Sequence, residues 1–247
     1  MYYRYEGLAI LNKVQSPYKL FKKLNVLLVR HGESVSNALR EKLKSEKILL
    51  DEDQVIEDAK IGLTEKGISQ SKDTGKKIRD YFESNGLDKN KTLVLVSPYL
   101  RAMETYEYAN EFLNFDNNSD NVFVLNALRE QDYGAFHMID REIKKKRYET
   151  IYKICQKNTI SYYKPQFLGE APIDVSTRLN GVMDFIEKIS NQADIETVII
   201  FAHKNVNKCM LMNILNLPAE FYDDFDYEEN CSILNIHKGK FKKFSFN

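Results

Sequence analysis

Val26-Leu27-Leu28-Val29-Arg30-His31-Gly32-Glu33-Ser34 decides how the rest of the chain is read. The apolar run Val26 to Val29 has the length of a short buried strand. It stops at three residues with distinct chemistry. Arg30 is a permanent cation whose planar fork matches a phosphate group. His31 offers a nitrogen nucleophile or proton carrier near neutral pH. Gly32 lets the backbone turn sharply and lets a ligand approach closely.

Three further apolar runs read as core strands: Leu93–Val96, Val122–Leu125 and Val198–Ala202. Helical spacing lies between them. Thr64 to Phe82, Leu100 to Leu113, Asp174 to Ile189 and Asn205 to Leu215 each read as a helix. The pair Ser232–Ile236 and Phe241–Phe244, separated by His237-Lys238-Gly239-Lys240, reads as a hairpin. Strands alternating with helices predict an α/β fold: a three-layer α/β/α sandwich on a mainly parallel sheet. Asn114 to Asn121 is a polar segment that reads as a mobile surface loop. Gly134 to Pro172 has a helix-like stretch but no strand, and reads as an insertion that covers the C-terminal strand ends, where such sheets collect ligands.

Size and composition narrow the classes. A chain of 247 residues fits one sizeable domain, here taken as 1–247 with an N-terminal extension over 1–24 and a cap over about 134–172. Lys+Arg and Asp+Glu both number 36, which argues against a general nucleic-acid binder. No apolar run approaches the roughly 20 residues of a membrane span, and Leu8 to Leu11 is too short for a signal-peptide core of roughly 7–15 residues. A cytoplasmic location is expected. Cys155, Cys209 and Cys231 are far apart and lack metal-ligand spacing, so they read as reduced thiols in or near the core.

The segment around His31 resembles the signature of the histidine phosphatase superfamily, whose best-known members are the cofactor-dependent phosphoglycerate mutases. Further motifs extend the resemblance over roughly residues 25 to 236. Ser97-Pro98-Tyr99-Leu100-Arg101-Ala102 follows the second strand and is similar to the family's Ser-x-x-x-Arg segment. Leu128-Arg129-Glu130-Gln131-Asp132-Tyr133-Gly134 resembles its Leu-x-Glu-x-x-x-Gly segment, and Phe201-Ala202-His203 its second histidine. Asn37, Gly62-Leu63-Thr64, Gly67 and Gln70 also match. The resemblance implies a phosphoglycerate mutase-like fold and a phosphoryl group carried on His31. It implies Glu130 as proton donor, His203 as a second catalytic residue, and Arg30, Asn37 and Arg101 as phosphate ligands. It implies no metal and no cofactor.

Elementary chemistry supports the same set. A phosphoryl group carries about two negative charges near pH 7. Its transfer needs fixed cations and an in-line nucleophile. Glu130 needs a raised pKa to donate a proton, and Asp132 is its near competitor. Among residues outside the set, Glu33 reads as an N-terminal helix charge, and His137 and His237 as surface or loop residues. The basic run Arg141 to Arg147 reads as a solvated helix face, or under the resemblance as a cap lining that attracts anions.

The chain departs from that family's pattern in two places. Lys204 stands where the family usually has Gly, and either points to solvent or adds a phosphate contact. Arg-Glu-Gln-Asp-Tyr-Gly replaces the mutases' Asn-Glu-Arg-His-Tyr-Gly, and no Arg-Arg pair is seen in the cap. Glu-Gln-Asp-Tyr-Gly-Ala-Phe and Gly169-Glu170-Ala171-x-x-Asp174-Val175 look more like the mutase-like branch. A metal-independent phosphomonoesterase acting on a small phosphorylated metabolite is therefore expected. The alternatives are a phosphoglycerate mutase and a catalytically silent phosphate-binding or scaffold protein. No nucleic-acid or membrane partner is expected, and the sequence leaves the oligomeric state open.

Overall fold

The computed structural model describes residues 19–46, 58–136, 141–157, 160–225, 229–238 and 240–243. Its centre is a six-stranded sheet in the order β3-β2-β4-β1-β5-β6. The strands are β1 (Asn25–Arg30), β2 (Thr92–Val96), β3 (Val122–Val124), β4 (Thr197–Ala202), β5 (Ile233–His237) and β6 (Lys240–Lys243). β1 to β4 run parallel, while β5 pairs antiparallel with β1 and β6 antiparallel with β5. Parallel strands covered on both faces need near-continuous apolar sequence. β1, β2 and β4 supply it and are buried along their whole length.

The helices are α1 (Val35–Glu46), α2 (Glu65–Asn85), α3 (Leu100–Leu113), α4 (Arg141–Arg147), α5 (Glu149–Cys155), α6 (Pro172–Ala193), α7 (Lys204–Leu215) and α8 (Phe221–Asp224). Alternating strand residues feed two cores. Leu27, Val29, Val94 and Phe201 pack with Ile78 and Phe82 of α2 and Tyr106 and Leu113 of α3. Val26, Leu28, Leu95 and Ile200 pack with Leu179 and Met183 of α6 and Cys209 and Ile214 of α7. The predicted three-layer sandwich is thus present, with α2 and α3 on one face and α6 and α7 on the other. Among the described residues no helix is long and apolar enough to cross a membrane.

Several expectations shift. Val122–Leu125 is not a core strand: β3 is an edge strand and is half-buried or exposed throughout. His237 ends β5, half-buried, rather than lying in a loop. α1 has no counterpart among the sequence-predicted helices. Most of the N-terminal extension, residue His137 and Phe244 lie outside the described residues. The extension's last turn, Lys19–Lys22, drives Phe21 into the core.

The segment between Gly134 and Gly169 leaves and returns through a closed neck. Ala135 N donates to Phe167 O at 2.9 Å, and Glu170 N donates to Asp132 O at 2.7 Å. Gly134 has φ +56°, and a Cβ there would meet Phe167 O at 2.2 Å, so this crossing admits only glycine. Between the two sides of the neck lie α4 and α5.

Candidate active site

Strand register assembles the site. Arg30 pairs with Ala202, and Val96 with Phe201, so His31, Ser97 and His203 leave neighbouring strands at one edge. That edge is the C-terminal one, at a point where β4 lies between strands reached in opposite directions, the usual place for a ligand.

His31 is buried, and its N–H continues the ladder to Ala202 O at 3.0 Å. Its Nδ1 lies 2.7 Å from Gly32 O. A carbonyl only accepts, so Nδ1 carries the hydrogen and Nε2 keeps its lone pair. Burial, and after it the charges of Arg101 and Arg30, hold the imidazole pKa well below its ordinary value. The loop is fixed from three sides. Gly32 N donates to Thr105 Oγ1 at 2.9 Å. Asn230 Nδ2 donates to His31 O at 3.1 Å and to Gly32 O at 3.2 Å. The first turn of α2 presses on the loop so closely that a Cβ on Gly67 would meet Glu33 O at 2.1 Å.

Two arginines flank His31. Arg30 closes β1 and is 8% exposed; Arg101, in the first turn of α3, is 4% exposed. Arg101 is held by Asp58 and lies 5.0 Å from the centroid of the Tyr99 ring. His203 is the N-cap residue of α7, with its ring centroid 5.2 Å from that of His31. Its Nε2 lies 2.7 Å from Ser97 Oγ, while its buried Nδ1 has no partner among the described residues. When the Ser97 hydroxyl donates to Nε2, Nδ1 carries the hydrogen and becomes a donor in want of an acceptor. Burial, then Arg101, keeps this ring's pKa well below its ordinary value too. Asn37, in α1, accepts at Oδ1 from Ser34 N (3.2 Å) and Asn230 Nδ2 (3.0 Å), which leaves its Nδ2 end to donate.

Glu130 lies on the loop between β3 and the neck. It is buried, and burial pushes its carboxyl pKa up, against the smaller opposing pull of a 2.8 Å hydrogen bond from Gln131 N and of Arg101. The loop is tied to α6 by ions. Arg178 Nη2 donates to Arg129 O at 2.8 Å and Glu130 O at 3.3 Å, and its Nη1 donates to Ala127 O. Arg178 Nε also pairs with Glu170 Oε1 at 2.9 Å. Glu170 in turn binds Arg129 Nη2 at 2.8 Å and accepts from Asp132 N at 3.0 Å. Gln131 Nε2 donates to Glu170 O at 2.7 Å, and its Oε1 accepts from Asn205 at 3.0 Å.

The structure thus brings His31, Arg30, Arg101 and His203 to one edge, with Glu130 within electrostatic reach of both arginines. Asp132, the competing acid, is exposed and uses Oδ1 to accept from Gly134 N at 2.7 Å. Lys204 is half-buried at the first position of α7. Sequence reasoning missed Asn230, Asp58 and Arg178 altogether. Ser97 was visible in its motif, but its bond to His203 was not.

A buried neutral histidine, two sheltered arginines and a protonatable carboxyl at a helix-rich sheet edge define a phosphoryl-transfer enzyme. The model of the histidine phosphatase superfamily (branch 1) matches residues 26–245, and the chain belongs to this superfamily. Solved structures agree in fold. A putative alpha-ribazole-5'-P phosphatase from Escherichia coli aligns with TM-score 0.63 at 19% identity, over 91% of this chain and 96% of that one. The alpha-ribazole phosphatase from Shigella flexneri aligns with TM-score 0.62 at 21% identity, over 91% and 96%. A mycobacterial glucosyl-3-phosphoglycerate phosphatase aligns with TM-score 0.63 at 14% identity, over 91% and 98%. No curated protein matches the chain significantly.

Proposed function

We propose that this chain is a phosphomonoesterase that hydrolyses a small phosphorylated metabolite through a phosphohistidine on His31. The observation that carries the reading is the 2.7 Å bond from Nδ1 to Gly32 O, which reserves Nε2 for attack beside Arg30 and Arg101. In the first step Nε2 forms a bond to phosphorus while the ester oxygen–phosphorus bond breaks. Glu130 hands its proton to the departing alkoxide. In the second step Glu130, now a carboxylate, takes a proton from water. The resulting hydroxide attacks phosphorus, the nitrogen–phosphorus bond breaks, and neutral His31 and inorganic phosphate are left. Arg30, Arg101, the Nδ1 of His203 and the amide of Asn37 hold the phosphoryl oxygens. With the main-chain amides at the start of α7, they supply the charge compensation without a metal.

Hydrolysis is favoured over mutase chemistry because the positions after Glu130 are spent on structure. Gln131 binds Glu170 and Asn205, and Asp132 binds Gly134. Neither is left to grip a substrate carboxylate. The phosphatase names of the similar folds support the same choice. The cap over about 134–172 covers the entrance, a reading supported by the main-chain bonds that close its base near Glu130. Chain and insertion act as one domain. The free thiols Cys155, Cys209 and Cys231 support a reducing, cytoplasmic setting.

The test is a panel of phosphorylated metabolites with His31→Ala as control, including 3-phosphoglycerate with catalytic bisphosphoglycerate. Release of inorganic phosphate by the wild type alone is expected. Formation of 2-phosphoglycerate in place of free phosphate would identify a mutase. Silence of the folded protein across the panel would identify a phosphate-binding or scaffold protein.

A further inference from the structure

Arg101 is gripped by a residue outside every motif considered so far. Asp58 lies ahead of α2, and both of its acceptor groups meet the guanidinium. Nη1 donates to Asp58 O at 2.7 Å and to Oδ1 at 3.0 Å, and Nη2 donates to Oδ2 at 3.0 Å. The pair is sheltered, with the Arg101 side chain 5% and the Asp58 side chain 20% exposed.

A guanidinium carries five N–H bonds in a fixed plane. Both on Nη1 and one on Nη2 are directed to Asp58. The remaining two, on Nε and Nη2, leave from the same side edge and form a second parallel fork. Such a fork takes two oxygens of one phosphoryl group. Resting on the reading of the cage given above, we propose that Asp58 is a positioning residue for phosphoryl transfer: it clamps the Nη1–Nη2 end of Arg101 and so turns the Nε–Nη2 edge onto the phosphoryl group.

The clamp has a physical purpose. An arginine side chain has many rotamers, and a donor that must first be ordered contributes less in the transition state. The Tyr99 ring beneath the guanidinium restrains the same side chain from another direction. Asp58 also lies among the groups that favour the protonated form of Glu130, so its charge suits the acid as well as the arginine.

The experiment is a double-mutant cycle on Asp58→Ala and Arg101→Ala, with p-nitrophenyl phosphate as substrate and inorganic phosphate as inhibitor. Asp58→Ala is expected to lower kcat/KM by about 10²-fold, the size of effect that misplacing a group by about 1 Å produces. Asp58→Asn, which keeps a side-chain oxygen, is expected to lose less. With Arg101 already removed, removing Asp58 is expected to change kcat/KM by less than about threefold, because the two act as a unit. An equally large further loss in the Arg101→Ala background overturns the proposal. So does tighter phosphate inhibition with unchanged or higher kcat/KM in Asp58→Ala, which would make Asp58 a competitor for the fork. Full activity in Arg101→Ala refutes the cage reading itself, and the clamp with it. Should Asp58→Ala not fold, Asp58→Asn carries the same cycle.

Discussion

His31 and Glu130 reach the site by different means. His31 extends the central strand β1 and is held by main-chain and amide bonds to Ala202, Gly32 and Asn230. Glu130 sits on a loop between the edge strand β3 and the closed neck at Gly134. There, a charged cluster of Arg129, Glu170 and Arg178 does the holding. The nucleophile's half of the site is thus a product of the sheet, and the acid's half a product of side-chain ions. Chemistry and stability should separate in the first half and travel together in the second.

Glu130→Gln should have the largest effect in the acid half. It keeps the shape and the Gln131 contact but has no proton to donate. Turnover of an alkyl phosphate should fall by about 10²–10⁴-fold. A p-nitrophenolate leaving group needs no proton, so stopped-flow should still show a rapid first release of nitrophenol, stalled before the second turnover. Loss of that burst would mean that Glu130 serves structure. Asp132→Asn, by contrast, should keep alkyl-phosphate turnover.

Arg178→Ala comes next. It removes a part-buried guanidinium from a carboxylate and three carbonyls. A loss of about 3 kcal/mol in denaturant unfolding is expected, because three carbonyls lose their donor and the Glu170 carboxylate is left with Arg129 as its one cation among the described residues. Alkyl-phosphate turnover should drop further than the nitrophenol burst, because the acid shifts more than the nucleophile. Equal loss in both would show that the two halves are not separately built.

The pH dependence separates them again. His31 must be neutral, and its pKa is held well below 6.5, so activity should survive acidification past pH 6.5. Glu130 must be protonated, and its pKa is raised, so alkyl-phosphate turnover should fall as pH rises through that raised value. The nitrophenol burst should lack this alkaline fall. The smallest effect is expected from Asn230→Ala, about 1 kcal/mol in unfolding, because Cys231 N also donates to His31 O and shares the task.

The same division explains what could be read from the sequence. β1, β2 and β4 announce themselves as apolar runs because both faces are covered, and the reactive residues follow those runs directly. The run Val122–Leu125 looks alike on paper, yet forms an edge strand, since apolar character alone does not say how many faces a strand buries. α1 carries Val35, Leu39 and Leu43 four residues apart, a single narrow apolar stripe at helical spacing that the sequence reading passed over. Asn230 lies 199 residues from His31, and no local pattern marks a side chain that binds a distant carbonyl. Asp58 and Arg178 were hidden for the same reason: each acts on a residue that the chain reaches only by folding.

The central claim is a covalent phosphoryl group on His31. Glu130→Gln, incubated with p-nitrophenyl phosphate and quenched in base, should accumulate one acid-labile, base-stable phosphate. Peptide mass mapping should place it on His31, and His31→Ala should carry none. Phosphate on another side chain, or a nitrophenol burst of full size in His31→Ala, would contradict the account.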